Sequence, residues 1–173
     1  MKFGKIGHVG IVVKDLASAV KKYSLLTGID KWYELVYDAP PELYYRGEKR
    51  NCNITLYFGG KGHTAVELIC PEGDENIYTE FLRRHGEMIH HVEYNVKNLD
   101  EAVKQAESCG LKVLQHASFK SAGASVRYAY VGESEDAAIF ELIETTLPIG
   151  VKKGDVPFET QLAALTGNYR RVK

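Results

Sequence analysis

The chain has 173 residues, 45% of them hydrophobic and 26% charged, which suits one compact domain or two small modules sharing a core. A formal net charge of −1 leaves no global electrostatic case for nucleic acid or an anionic membrane. No apolar run approaches a membrane span, the N-terminus MKFGKIGHVG has no apolar signal core, and Cys52, Cys70 and Cys109 show no CxxC spacing, so the expectation is a cytoplasmic protein with reduced packing thiols.

The first predicted element is the β-branched strand IGHVGIVV, Ile6 to Val13. Asp15 then caps a helix whose apolar positions Leu16, Val20, Tyr23 and Leu26 or Thr27 recur at helical spacing, with Gly28 as its C-cap. Strands are predicted at KWYELVYD, at NCNITLYF and at TAVELIC, the last stopped by Pro71. NIYTEFLRRHG, Asn76 to Gly86, is predicted as a short helix inside a linker. A second round follows: the strand MIHHVEYNV, a helix capped by Asn98, and strands at Leu111 to His116, Ser125 to Val131 and Ala137 to Glu144. PFETQLAALTG in the remaining tail is predicted as a helix beginning near Pro157.

The second round echoes the first. KIGHVGIVVKDLASAVK aligns without gaps on MIHHVEYNVKNLDEAVK, pairing His8 with His91, and TAVELI aligns on AIFELI, pairing Glu67 with Glu141. The expected fold is therefore α+β: two tandem βαβββ modules forming a cupped mixed sheet around a shared site. The expected division is 1–70 for the first module, 71–87 for the linker, 88–145 for the second module and 146–173 for the tail.

Facing the repeats about a pseudo-twofold axis brings His8, His91, Glu67 and Glu141 to one point. Two imidazoles and two carboxylates suit a divalent metal of borderline to hard character, and the lack of cysteine argues against a closed structural zinc site. Four protein ligands leave a five- or six-coordinate ion room for water or substrate. Repeat alignment selects His91 over His90, which pairs with Gly7 and, by strand alternation, points the other way. Glu93 shares a face with His91, so it is expected as a further acid/base beside the metal or as the partner of a cation.

The phrases GHVGIVVKDL, VELICP, HHVEYNVKNLDEAV and FELIE resemble the vicinal oxygen chelate superfamily, the glyoxalase/bleomycin-resistance/dioxygenase fold, over roughly Lys5 to Glu144. Within that span, VELICPEGDENIYTEFLRRHGEMIHHVEYNVKNLDEAV is most similar to methylmalonyl-CoA epimerases. The resemblance implies that His8, His91 and Glu141 are metal ligands, with Glu67 in the remaining position that glyoxalase I fills with glutamate. It implies one divalent ion per site, cobalt, nickel, manganese, zinc or iron. It also implies an enzyme, and members of the superfamily commonly pair as dimers.

The chemistry expected of such a site is isomerisation, epimerisation or lyase activity through an enolate, with Glu67, Glu141 and Glu93 as catalytic carboxylates. The alternatives are a glyoxalase I-type lactoylglutathione lyase, an iron(II) extradiol-type dioxygenase, which the fourth ligand Glu67 disfavours, and a metal-free small-molecule binding or resistance protein. Tyr44, Tyr45, Arg46, Lys49 and Arg50 cluster in ELYYRGEKR, and Arg127 lies on a strand. Tyr45, Arg46, Arg50 and Arg127 are therefore expected to bind a small, anionic substrate, with Arg127 either on a substrate carboxylate or paired with Glu93.

Overall fold

A computed structural model describes residues 3–37, 39–60, 65–121, 124–147 and 169–172. The first repeat contains β1 (Ile6–Val12), α1 (Leu16–Thr27), β2 (Trp32–Leu35), a hairpin of β3 (Glu42–Tyr45) and β4 (Glu48–Arg50), β5 (Cys52–Gly59) and β6 (Ala65–Gly73). Then come α2 (Ile77–His85), β7 (Met88–Asn95), α3 (Leu99–Ser108), β8 (Lys112–Ser121), β9 (Ala124–Gly132), β10 (Phe140–Thr146) and β11 (Tyr169–Arg171). Among the described residues none of the helices is long and apolar enough to cross a membrane.

One mixed, curled sheet runs in the order β11-β2-β5-β6-β1-β7-β10-β9-β8-β3-β4. Its centre carries the repeat: β1 is parallel to β6, β7 is parallel to β10, and β1 meets β7 antiparallel. The two halves thus abut edge to edge, so the strands that begin each repeat are neighbours. α1 packs on the convex face of the first half through Ala19, against Ile11, Val13, Trp32 and Leu68. α3 packs on the convex face of the second half through Leu99, Ala102 and Ala106, against Ala129, Val131 and Leu142. The concave face holds the main core, which includes Leu56, Phe58, Tyr128, Tyr130 and Ile143 together with Ile77, Tyr78 and Phe81 of α2.

The helices start where the sequence places them. The Asp15 carboxylate accepts from Ser18 N at 2.7 Å, and the Asn98 side chain accepts from Glu101 N at 3.1 Å. At α2 the Asn76 side chain accepts from Thr79 N while the Thr79 hydroxyl accepts from Asn76 N, closing a reciprocal cap.

Several expectations change. The hairpin β3–β4 falls between the predicted strands KWYELVYD and NCNITLYF, where no element is predicted, and it leaves its own repeat to pair β3 with β8 at the far edge of the second half. β6 runs through Pro71 to Gly73, with Pro71 opposite Ile54. β1 accompanies β6 only as far as Ile69, so beyond it β6 is paired along one edge, where a proline is tolerated. Leu26, expected on the apolar face of α1, is exposed. The helix expected in PFETQLAALTG lies outside the described residues.

Candidate metal centre

Four adjacent strands each supply one side chain. β6 brings Glu67, β1 brings His8, β7 brings His91 and β10 brings Glu141, in the spatial order of the sheet. One donor atom from each lies within 4.8 Å of all the others. His8 Nε2 is 3.3 Å from His91 Nε2, and each of these nitrogens is 3.4 Å from Glu67 Oε2 and 3.3 Å from Glu141 Oε2. All four residues are buried.

These spacings test whether the set fits a cation. Nitrogen and oxygen ligands about 2.0–2.2 Å from one ion stand roughly 3.0–3.6 Å from each other, which is the separation found for every pair that includes a histidine. The two carboxylate oxygens are buried, and neither has a hydrogen-bond partner among the described residues. They converge with the imidazole nitrogens on a common centre, and a buried anion left that way is costly without a positive charge. The residues fit a divalent ion.

The charges of the set follow from its closure. Burial opposes the imidazolium of His8, but the carboxylates of Glu67 and Glu141 outweigh it and hold its pKa well above the usual value. His91 is raised for the same reasons, burial again opposing and Glu141 leading the attraction. Burial likewise opposes charge on Glu67 and Glu141, yet the two histidines hold both carboxyls below their ordinary range. A bound ion needs both imidazoles deprotonated at Nε2, so metal binding competes with protons at these histidines.

Local irregularity places these side chains. Gly10 pairs with His91 and Ile11 with Ile89, so β7 takes two steps where β1 takes one and His90 is the extra residue of a β-bulge. Between the pairs Ile6–Tyr94 and Val9–Val92 the extra residue falls in β1, at Gly7–His8. The bulge overturns the expectation for His90. Instead of pointing away, it is buried on the concave side among the rings of Tyr78, Phe81 and Tyr130, with its Nδ1 3.0 Å from His91 Nδ1. Burial and the neighbouring His91 keep its pKa well below the usual value.

Glu93 stands beside His8 and not among the four cluster residues. It is buried behind His8, with Oε2 3.6 Å from Nδ1, the ring nitrogen turned away from the four-residue cluster. Nor does it pair with Arg127, which bonds Asp100 at 2.6 Å on the convex side, beside α3. The other expected substrate residues lie away from the cluster as well. Arg46 bridges Glu80 and Glu135 at 2.9 Å each, Tyr45 is buried with its hydroxyl on Glu80, and Arg50 pairs with Glu48 at 2.6 Å. Alternation along β9 carries the signal that was missed. Tyr128 and Tyr130 occupy the inner face, so Arg127 and Ala129 take the outer one.

What does border the cluster is aromatic. A cavity of about 30 Å³ is lined by His8, Glu67 and Glu141 together with Phe58, Tyr78, Phe119, Tyr128, Tyr130 and aliphatic neighbours, and no lysine or arginine among the described residues lines it. That volume holds a water or an ion. Tyr78 donates to the Tyr130 hydroxyl at 2.8 Å, and burial raises both phenols well above their usual pKa, so both stay protonated.

A profile of the glyoxalase/bleomycin resistance protein/dioxygenase superfamily matches residues 7–130. The chain belongs to this superfamily. A hypothetical protein of Bacillus halodurans has a solved structure with a TM-score of 0.61 at 19% identity, covering 85% of this chain and 98% of that one. Methylmalonyl-CoA epimerase from Mycobacterium tuberculosis gives a TM-score of 0.59 at 20% identity, covering 83% of this chain and 89% of the other. At such identity these structures speak for the superfamily fold alone. A putative protein of Caenorhabditis elegans is 25% identical over 160 residues, 91% of this chain, which spans only 38% of that relative's length. The superfamily includes enzymes such as the epimerases, and the paired repeats and cupped sheet seen here are its architecture.

Proposed function

We propose that the chain is a metal-dependent isomerase, epimerase or lyase that moves a proton on the carbon next to a substrate carbonyl. The observation that carries this reading is the buried convergence of His8, Glu67, His91 and Glu141. A divalent ion held by these four residues supplies Lewis-acid polarisation of the carbonyl. Glu67 and Glu141 face the same point from opposite halves of the sheet. Either carboxylate accepts the proton as the C–H bond breaks and its electron pair moves to the carbonyl oxygen. Return by the same carboxylate gives isomerisation, and return by the other gives epimerisation. The Tyr78 hydroxyl donates to that of Tyr130 in the same wall, and the aromatic side chains exclude bulk water.

Methylmalonyl-CoA epimerases have been crystallised with methylmalonyl-CoA and with 2-nitronate-propionyl-CoA, which supports an acyl group of that kind as one candidate substrate. The cavity walls add a size and polarity limit. A group that reaches the cluster is small and meets aromatic walls, with no lysine or arginine among the described residues beside it. A cavity of this size is too small for an acyl group, so substrate admission requires its wall to move.

The test is solvent deuterium incorporation by the metal-loaded protein, followed by proton NMR, into methylmalonyl-CoA and into the hemithioacetal of methylglyoxal and glutathione. Exchange with one of them, lost in Glu141→Gln and Glu67→Gln, supports proton transfer and separates the epimerase from the lyase. Oxygen consumption by the iron(II)-loaded protein without any exchange would favour the dioxygenase.

A further inference from the structure

The two repeats differ where they are otherwise most alike. The first reads Gly7-His8-Val9-Gly10 and the second reads His90-His91-Val92-Glu93. We infer that His90 and Glu93 are positioning residues, which hold the rings of His91 and His8 so that both Nε2 atoms face the shared centre. This rests on the metal reading of the four-residue cluster.

Both histidines present Nε2 to the cluster, which leaves Nδ1 of each on the outer side. β7 supplies the group found there in both cases. His91 Nδ1 is 3.0 Å from His90 Nδ1, a hydrogen bond between two rings standing at 88°. His8 Nδ1 is 3.6 Å from Glu93 Oε2, an ion-pair separation rather than a hydrogen bond. An imidazole bound through Nε2 carries its proton on Nδ1, so His91 donates to His90 and His8 turns its N–H toward Glu93.

The glycines of β1 make room for this arrangement. A Cβ on Gly7 would stand 1.6 Å from Glu93 Oε2, and a Cβ on Gly10 would stand 2.0 Å from His91 Cε1. Each glycine therefore vacates space that a β7 side chain fills. The bulge serves the same end, because only as an extra residue does His90 share the concave side with His91. The asymmetry between the repeats is thus functional: one strand orients the ligands of both halves.

The experiment is a calorimetric titration of zinc into the full chain after chelator treatment, with imidazole 15N NMR of each zinc-loaded form. Glu93→Gln removes the charge at constant size, His90→Phe keeps the packed ring, and Gly7→Ala pushes the Glu93 carboxylate aside while leaving every ligand in place. The wild type is expected to show both histidines bound through Nε2 with protonated Nδ1. Each variant is expected to bind zinc about 10–100-fold more weakly, with the Nδ1 signal of His8 shifted in Glu93→Gln and Gly7→Ala and that of His91 shifted in His90→Phe. A merely structural role would lower the melting temperature of the chelated protein without moving those signals. Wild-type affinity and wild-type ring signals in the folded variants would overturn the inference while leaving the metal centre standing. If Glu93→Gln fails to fold, His90→Phe and Gly7→Ala decide in the same terms. Absence of zinc binding in the wild type overturns the metal reading, and the inference with it.

Discussion

His8 and His91 face two buried carboxylates rather than water, and this makes the metal-free protein sensitive to pH in both directions. Their folded pKa values are raised, so the stability they contribute is complete below the unfolded value of about 6.5 and is lost as pH rises through the folded values. Glu67 and Glu141 are lowered, so their contribution is present above the unfolded value of about 4.3 and is lost as pH falls through the folded ones. His90 is lowered too, and it withdraws stability as pH drops below about 6.5 toward its folded value. The chelated protein is therefore expected to melt at its highest temperature near pH 6–7 and lower on either side, measured by circular dichroism. Metal requires neutral imidazoles, so the gain in melting temperature on adding ion is expected to grow from pH 6 to pH 8; a gain that shrinks over that range would contradict these assignments. At this scale the four cluster residues were legible, because a repeat fixes equivalent positions whatever the loops between them do. His90 was not, because strand alternation holds only until a bulge adds a residue. The ion pairs of ELYYRGEKR were only partly legible: Lys49 and Arg50 pair with Glu42 and Glu48 of the same hairpin, whereas Arg46 bridges Glu80 and Glu135, which lie far along the chain.

At the scale of elements, the hairpin and α2 close the concave face. Leu43 on β3 is fully buried, and Ile77 at the start of α2 donates its N–H to Gln115 Oε1 at 3.1 Å. Leu43→Ala is expected to cost about 2–5 kcal/mol, read from urea unfolding, since a cavity there loosens the hairpin's seat on β8. Asn76→Ala removes the acceptor for Tyr78 N and Thr79 N and is expected to cost roughly 1 kcal/mol, detaching Tyr78 from the cavity wall. A loss below about 0.3 kcal/mol in either would show that the element does not depend on that residue. Strand and helix order in both repeats could be read from apolar patterning and caps. The hairpin could not, because Glu42–Tyr45 and Glu48–Arg50 are short, the second is charged throughout, and the strand that β3 pairs with, β8, belongs to the other repeat. Pairing across half the chain leaves no local signal.

At the scale of the molecule, the antiparallel contact of β1 with β7 is what makes a site from two incomplete halves. Each repeat contributes one imidazole and one carboxylate, and both halves belong to the same chain. The cluster is thereby built into the centre of the sheet, and an ion bound there ties the halves together. Removing metal with a chelator is expected to lower the melting temperature, and restoring one divalent ion per chain is expected to recover it.

The central claim is that His8, Glu67, His91 and Glu141 hold a single divalent ion. The most direct measurement is the metal content, by mass spectrometry, of protein purified without an affinity tag, beside a His91→Ala variant. One ion per chain in the wild type, absent from the variant, is the expected result, and the identity of the ion would separate iron-dependent oxygen chemistry from proton transfer on cobalt, nickel, manganese or zinc. No metal in either protein, even after each ion is added back, would contradict the account.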